Sequence, residues 1–150
     1  MAKRGFQGAV LKVLRAREYP LTVVERGALT ASCARVVFSA PELVGAVPLS
    51  AASWLRLWVP DPGRPDIEHQ RGYTVAAHDA HAGTITIDFV LHEPSGPAST
   101  WAARAEAGDR IGAMSMGSTE VSFAGREQPE GYLMIGDAAS VPAIRSLVAE

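Results

Sequence analysis

Cys33 is the only cysteine in the 150 residues, so the chain cannot close a disulfide on itself, and a reducing, cytoplasmic setting is the expectation. Long apolar runs are missing too. No stretch approaches the ~20 residues that cross a bilayer as a helix. Residues 1–18 have neither a continuous apolar core nor a cleavage site, so they do not read as a secretory signal. Net charge is small: Lys+Arg 14 against Asp+Glu 16 gives −2, which removes the whole-chain basic field that a nucleic-acid binder carries. There are no internal repeats, no low-complexity tracts, and no Ser/His/Asp or Cys/His arrangement that points to a hydrolase.

What remains is an ordinary globular composition, 47% hydrophobic and 20% charged, of a length that buries a real core. From residue 21 to about 123 the apolar segments are short, β-branched or aromatic, and separated by turn residues, the pattern of a small antiparallel barrel or sandwich. The expected strands are 22–25, 34–39, 54–59, 72–77, 84–91 and 110–113. "PDPGRPD" (60–66) is too proline-rich to continue a strand. "HDAHAGT" (78–84) reads as a hairpin turn in which Gly83 takes a positive φ. One helix interrupts the strands at "GPASTWAARAEAGD", with Ser99 or Thr100 as N-cap and Gly108 beyond its end. The last segment, "GYLMIGDAASVPAIRSLVAE", runs a buried-type strand at 132–135 into a Gly-Asp turn and an apolar-periodic helix, the opening of a βα unit. One such unit cannot complete a parallel sheet. The chain is therefore read as a fragment with a poorly ordered end; the alternative is a last helix packed on the barrel.

The chemistry concentrates in "RGYT" (71–74). A strand-borne Arg71 can grip a phosphate bidentately, and the N-terminus of the helix near Ser99 offers free N–H groups and a positive dipole to the same anion. Two such devices together suit a diphosphate. Tyr73 can present a flat face to a planar heterocycle and Thr74 a hydroxyl to a ring nitrogen, while Gly72 lets a ligand approach the backbone with no Cβ in the way. The combination describes a dinucleotide with an aromatic ring system, a flavin more readily than a simple nucleotide.

The order of features carries more than any one of them. "RGYTVAAHD…TIDFVLHEPSGPASTWAARAEAGDRI…YLMIGDAASVPAI" resembles the siderophore-interacting protein family, flavin-dependent ferric-siderophore reductases with a ferredoxin-reductase-like FAD barrel and a following nicotinamide-binding domain. More narrowly, "RGFQGAVL", "AASWLRLWVPDP", "GAMSMGST" and "QPEGYLMIGDAAS" are similar to the N-terminal siderophore-interaction domain of one subunit of a heterodimeric ABC importer for iron-loaded mycobactins, a domain on the cytoplasmic face of the inner membrane.

The resemblance implies a mainly β fold: an antiparallel Greek-key FAD barrel over 21–128 with one phosphate-binding helix. A basic segment precedes it at 1–20, and the first βα unit of a truncated NAD(P)-binding domain follows at 129–150. It makes Arg71 a phosphate contact and Tyr73 and Thr74 flavin neighbours. Asp88, Phe89, Val90, Leu91 and His92 contribute backbone groups, and His92 also its ring. Ala98, Ser99 and Thr100 hold the pyrophosphate. Gly136, Asp137 and Ser140 match the family's second-domain turn, although the acidic-plus-threonine pair common after the Gly-Asp is Ala138-Ala139 here. FAD is the implied cofactor, NAD(P)H the electron donor, and ferric siderophore the partner; the importer's membrane domains and the membrane surface are further candidates.

Competing readings attach to several of these residues. His92 can be a buried histidine with one backbone partner. His78 and His81 share a hairpin but have no third ligand, so they read as exposed turn residues and not a metal site. Trp54 and Trp58 read as core or barrel wall, and the Asp88 carboxylate is expected to turn away from a phosphate. Lys3, Arg4, Lys12, Arg15 and Arg17, interleaved with apolar residues, make either a solvated terminus or a short amphipathic helix on an anionic membrane. At the level of function, a redox-silent siderophore-docking module and a generic flavin reductase stand beside the ferric-siderophore reductase.

Overall fold

The computed structural model describes residues 17–117 and 130–149. Of the basic N-terminal positions only Arg17 lies within that range. It is exposed, 3.7 Å from Glu42, with its guanidinium over the Tyr19 ring.

Seven strands form the body: β1 (Tyr19–Thr30), β2 (Cys33–Ser39), β3 (Trp54–Pro60), β4 (Glu68–Thr74), β5 (Ala77–Asp79), β6 (Thr84–Val90) and β7 (Arg110–Ser115). All pair antiparallel, in the order β4-β3-β7-β1-β2-β6-β5. The two ends of that order, β4 and β5, are consecutive in the chain and joined at the corner Val75-Ala76. Val75 N–H donates to Ser53 O on the β3 side (2.8 Å) and Ala76 N–H to Thr86 O on the β6 side (2.9 Å), so the sheet curls shut into a barrel. The step from β3 to β7 and back to β1 is the Greek-key crossing.

Period-two patterning builds the interior. Leu21 and Val23, Val36 and Phe38, Leu55, Leu57 and Val59, Ile85, Ile87 and Phe89, and Ile111 and Ala113 all point inward and are buried. Each large side chain contributes about 1.5–3 kcal/mol by leaving water. A six-residue helix, α1 (Pro41–Ala46), follows β2 and plugs the core with Leu43. The β5–β6 hairpin turns on Gly83 at φ 63°, and a Cβ there would also press on Pro41 at 3.3 Å.

Helix α2 (Pro97–Arg104) follows β6 in the chain and packs over β3 and β6. Its N-cap is Gly96, with Pro97 at the first helical position, rather than Ser99 or Thr100. Trp101 projects from α2 onto the core, parallel to Phe38 at 6.1 Å and tilted on Phe89 at 5.8 Å.

At the C-terminal side, the expected strand at 132–135 is not formed. Leu133 and Ile135 are each 87% exposed and no ladder partner is present among the described residues. The Gly-Asp turn and the helix α3 (Val141–Val148) do form, and a Cβ on Gly136 would stand 2.5 Å from the Ser140 Cβ. Asp137 Oδ1 accepts both the N–H (2.9 Å) and the hydroxyl (2.7 Å) of Ser140, which holds this carboxyl below its ordinary range. The helix meets the barrel through Ala52 N–H donating to Ser146 Oγ at 2.9 Å. Among the described residues no helix is long and apolar enough to cross a membrane.

Candidate functional site

The barrel closes imperfectly between β4 and β6, and the defect has a chemical character. Beyond the Ala76–Thr86 bond no ladder joins the two strands among the described residues, so each presents a bare edge to the other. In an antiparallel ladder alternate residues direct their N–H and C=O to opposite sides. On β6, Leu91 N–H bonds Ser32 O on the β2 side, whereas Thr86 O takes Ala76 N–H on the far side. Two-residue periodicity then aims the backbone groups of Asp88 and Val90 away from β2. On β4, Val75 bonds Ser53, and Trp54 bonds Gly117 and Met116 on the β7 side. That phase leaves the backbone groups of Gln70, Gly72 and Thr74 pointing outward from β3. The Tyr73 and Phe89 rings, 4.4 Å apart, bring this part of β4 beside this part of β6. The backbone groups of Gly72, Thr74, Asp88 and Val90 thus have no ladder partner among the described residues.

Side chains furnish the floor and the charge of this defect, a slot between β4 and β6. Tyr73 lies on the same side of the sheet as its cross-strand partner, the buried Leu55, and its ring packs on Phe89 at 4.4 Å. Burial pushes the Tyr73 phenol up to about 12, against a smaller pull from Arg71, so the ring stays neutral across physiological pH. Arg71, two residues back on the same side, is exposed and donates from Nη1 to Gln70 O at 2.7 Å. Because the Gln70 carbonyl faces the slot, the guanidinium is held at its rim, and among the described residues it forms no ion pair. A charged fork left uncommitted at a cleft is suited to an anion.

The start of α2 lies against the end of β6. His92, just past the end of β6, donates its N–H to Ser99 Oγ in the first turn of α2 (3.3 Å). Of the first-turn donors of α2, Pro97 has none and Thr100 N–H returns to Gly96 O at 2.9 Å, which leaves the Ala98 and Ser99 amides without a helical acceptor. Gly96 lies against the His92 ring, with 3.8 Å between that imidazole and a Cβ built there.

Not every predicted contact is a side-chain contact. Asp88 is buried, on the outer face of β6, and its carboxylate is gripped by its cross-strand partner Arg35 at 2.7 and 2.8 Å. Only its backbone is free for the slot. Val90 also turns outward, and Leu91 N–H is committed to Ser32, while Phe89 points inward as floor. His92 is exposed, which corrects the buried-histidine reading. The Thr74 side chain shares the outer face with Trp54, and Gly72 touches the Trp54 ring, 3.6 Å from a Cβ built there. Trp54 and Trp58 are outer-wall residues, the latter buried. His78 and His81 are exposed, and no metal-holding cluster is present among the described residues.

Two clefts adjoin these elements. One of about 340 Å³ runs between α3 and the β1–β2 hairpin, walled by Cys33, Asp88, Val90, Ala138, Pro142 and Arg145. Burial, then the Asp88 charge, pushes the Cys33 thiol up, so it stays protonated. The second, about 240 Å³, lies beside α2 against the proline-rich loop. Neither the Trp101 wall nor the loop anchor formed by His69 and Asp61 was foreseen. Only the aromatic in the first turns of α2 offered a signal.

A closed, seven-stranded antiparallel barrel with a helix after its sixth strand has the fold of the FAD-binding, ferredoxin-reductase-like class. A ferredoxin NADP+ reductase from Neisseria gonorrhoeae with bound FAD and NADP has the same fold, with a TM-score of 0.53 at 22% identity over 71% of this chain and 39% of that one. Residues 65–118, which contain β4, β5, β6, α2 and β7, match the model of the siderophore-interacting FAD-binding domain. The siderophore-interacting protein of Acinetobacter baumannii superposes with a TM-score of 0.73 at 26% identity, over 89% of this chain and 52% of that one. The mycobactin import ATP-binding/permease protein IrtA of Mycolicibacterium thermoresistibile is 46% identical over 147 residues, 97% of this chain. The ferric vibriobactin reductase ViuB of Vibrio cholerae is 32% identical over 78 residues, 52% of this chain and 28% of its own length. The chain belongs to the siderophore-interacting protein family. It spans 16% of the length of that IrtA relative.

Proposed function

We propose that this chain is the FAD-binding module of a ferric-siderophore reductase acting on siderophores of the mycobactin type, within an importer like IrtA. The observation that carries it is the slot: facing unpaired edges at Gly72, Thr74, Asp88 and Val90, floored by Tyr73 on Phe89, with Arg71 on β4 and the start of α2 after β6. An isoalloxazine carries donors and acceptors along one edge of a flat tricycle and a pyrophosphate on its tail, so the residues present fit it.

Each part has a task. Unpaired edge amides are costly to leave without partners and supply fixed hydrogen bonds to a heterocycle edge. Tyr73, neutral and wedged by Phe89, gives an apolar plane that excludes water from one face. Arg71 and the Ala98 and Ser99 amides neutralise the diphosphate. A bound flavin supplies the conversion of a two-electron hydride from NAD(P)H into single-electron reductions of Fe(III), one nicotinamide serving two ferric siderophores. Fe(III) is held by hard oxygen donors and Fe(II) less tightly, so reduction releases the metal without any protein ligand to iron.

The nicotinamide donor, the assignment of residues 129–150 as the first unit of a donor-binding domain, iron release in the cytoplasm and a position at the inner membrane face are parts of the same proposal. Leu133 and Ile135, exposed and with no neighbouring strand among the described residues, and the similarity to an ATP-binding/permease protein support them. The test is reconstitution with FAD followed by dithionite. A yellow chain that bleaches and regains its colour on adding ferric mycobactin supports the reading; a chain that ignores FAD refutes it, and one that binds FAD but passes no electrons to the ferric siderophore refutes the reductase step.

A further inference from the structure

We infer that α3 is a lid over the cleft of about 340 Å³ beside the β1–β2 hairpin, and that a two-state turn at Ser50–Ser53 latches it. Val141, Pro142 and Arg145, neighbours on one face of α3, form one wall of the cleft, and Cys33, Asp88 and Val90 stand on the barrel side. Ser146 lies one turn on from the buried Pro142, and its Oγ accepts the Ala52 N–H at 2.9 Å. The same hydroxyl donates to Ala143 O at 2.8 Å. Its one hydrogen is thus committed within the helix, and a lone pair is what the amide from the barrel meets.

That amide comes from a strained turn. Ser53 N–H donates to Ser50 O at 3.1 Å and Ser50 N–H to Ser53 Oγ at 2.9 Å, which closes residues 50–53 from both sides. Within the turn Ala52 alone has a positive φ, 54°. This is the type II arrangement, whose third position ordinarily holds glycine or asparagine because a Cβ in the left-handed region crowds the neighbouring carbonyl oxygen. Turning over the peptide between Ala51 and Ala52 gives a type I turn, which suits alanine and sends the Ala52 N–H the opposite way. The flank need not move with it: Ser53 is buried, and its carbonyl accepts Val75 N–H at 2.8 Å. The cost of a left-handed alanine and the net worth of one hydrogen bond are of the same order, so the two states lie close in energy and the Ser146 contact decides between them. When α3 lifts, the outer side of β6 at Asp88 and Val90 is uncovered, next to the strand edge assigned above to the flavin. Because α3 belongs to the segment proposed as the start of a donor-binding unit, the latch governs how that unit seats on the barrel; this use rests on that reading, and the latch itself on the turn.

Cys33, the only cysteine, lies on the covered wall, so its labelling by N-ethylmaleimide, relative to the unfolded chain, reports lifting of α3. Hydrogen exchange at the Ala52 amide reports the turn. Ser146→Ala should raise both rates several-fold, whereas Ser146→Thr, which keeps the hydroxyl, should stay near the parent. Ala52→Gly removes the strain without adding a contact and should slow labelling about five- to tenfold. In the Ser146→Ala background the glycine should have no further effect, since the left-handed turn then has no acceptor to reach. The inference is overturned if Ser146→Ala labels at the parental rate, if Ala52→Gly leaves labelling unchanged or speeds it, or if the glycine acts equally in both backgrounds. Thermal melts run beside the labelling, and changes that merely follow a fall in melting temperature also overturn it. No flavin enters these measurements, so a failure to bind FAD refutes the function proposed above and not the latch.

Discussion

Replacing Arg71 by alanine separates the anion-binding role of this residue from any structural one. The guanidinium is exposed and, among the described residues, makes one internal hydrogen bond, to Gln70 O. Its removal should leave stability within about 0.5 kcal/mol of the parent. If it grips a phosphate, the loss is that of hydrogen bonds to a charged group, about 1.5–3 kcal/mol, and solvent exposure at the slot rim favours the lower half of that range. At 1.4 kcal/mol per tenfold, FAD affinity should fall about 10- to 30-fold. Arg71→Lys keeps the charge but not the planar fork, and should recover only part of the loss. Fluorescence titration with FAD, paired with thermal melts, reads both quantities. The penalty should also shrink as salt rises, because the contact is screened. Unchanged FAD affinity in Arg71→Ala, or an affinity loss that merely follows unfolding, would refute the assignment.

Other consequences follow from the ion pairs and the phenol. Arg35→Leu strands the Asp88 carboxylate, whose side chain is 4% exposed, and should cost about 2–4 kcal/mol by denaturant melt, with FAD affinity per folded molecule unchanged because only the Asp88 backbone faces the slot. Tyr73, raised by burial, stays protonated in the folded chain above the pH at which an unfolded tyrosine ionises. Its stabilising contribution is complete below about pH 10 and lost as pH rises through about 12, a window that near-ultraviolet titration against a Tyr73→Phe control should reveal. Asp61 is lowered to about 2, chiefly by its hydrogen bond with His69, so its support of the proline-rich loop is present above the ordinary carboxylate range and lost as pH falls through about 2. Loop proteolysis should therefore be flat from pH 5 to 8 in the wild type and elevated in His69→Ala.

Sequence patterning revealed most of the barrel because its strands bury one face. The alternation of Ile85, Ile87 and Phe89 with Thr84, Thr86 and Asp88 marks β6 plainly. β4 was less visible: Glu68, His69 and Gln70 look like loop, since an edge strand beside an open slot lacks the apolar alternation that announces a strand. The half of β1 beyond Glu25 is exposed hairpin, held by pairing with β2 and not by burial, and it escaped for the same reason. α1 is too short, and interrupted by Gly45, to carry a helical period. At 132–135 the composition suits a strand, but a strand needs a neighbour. Gly96-Pro97 rather than Ser99 starts α2, because a first-position proline outranks an interior hydroxyl, and the Ser99 hydroxyl is used instead by His92 N–H. The residue types proposed for the candidate site come from "RGYT" and "GPAST". Which backbone groups face the slot was not legible there, since that phase depends on pairing partners far away in sequence. The Arg35–Asp88 pair, 53 residues apart, was hidden likewise.

Amide hydrogen exchange with and without FAD addresses the slot directly. Protection should rise at Gly72, Thr74, Asp88 and Val90, whose N–H groups face the gap, and at Ala98 and Ser99 on α2, while Leu91 and the β1–β2 ladder stay unchanged. FAD binding that leaves those six amides exchanging as before would contradict the account.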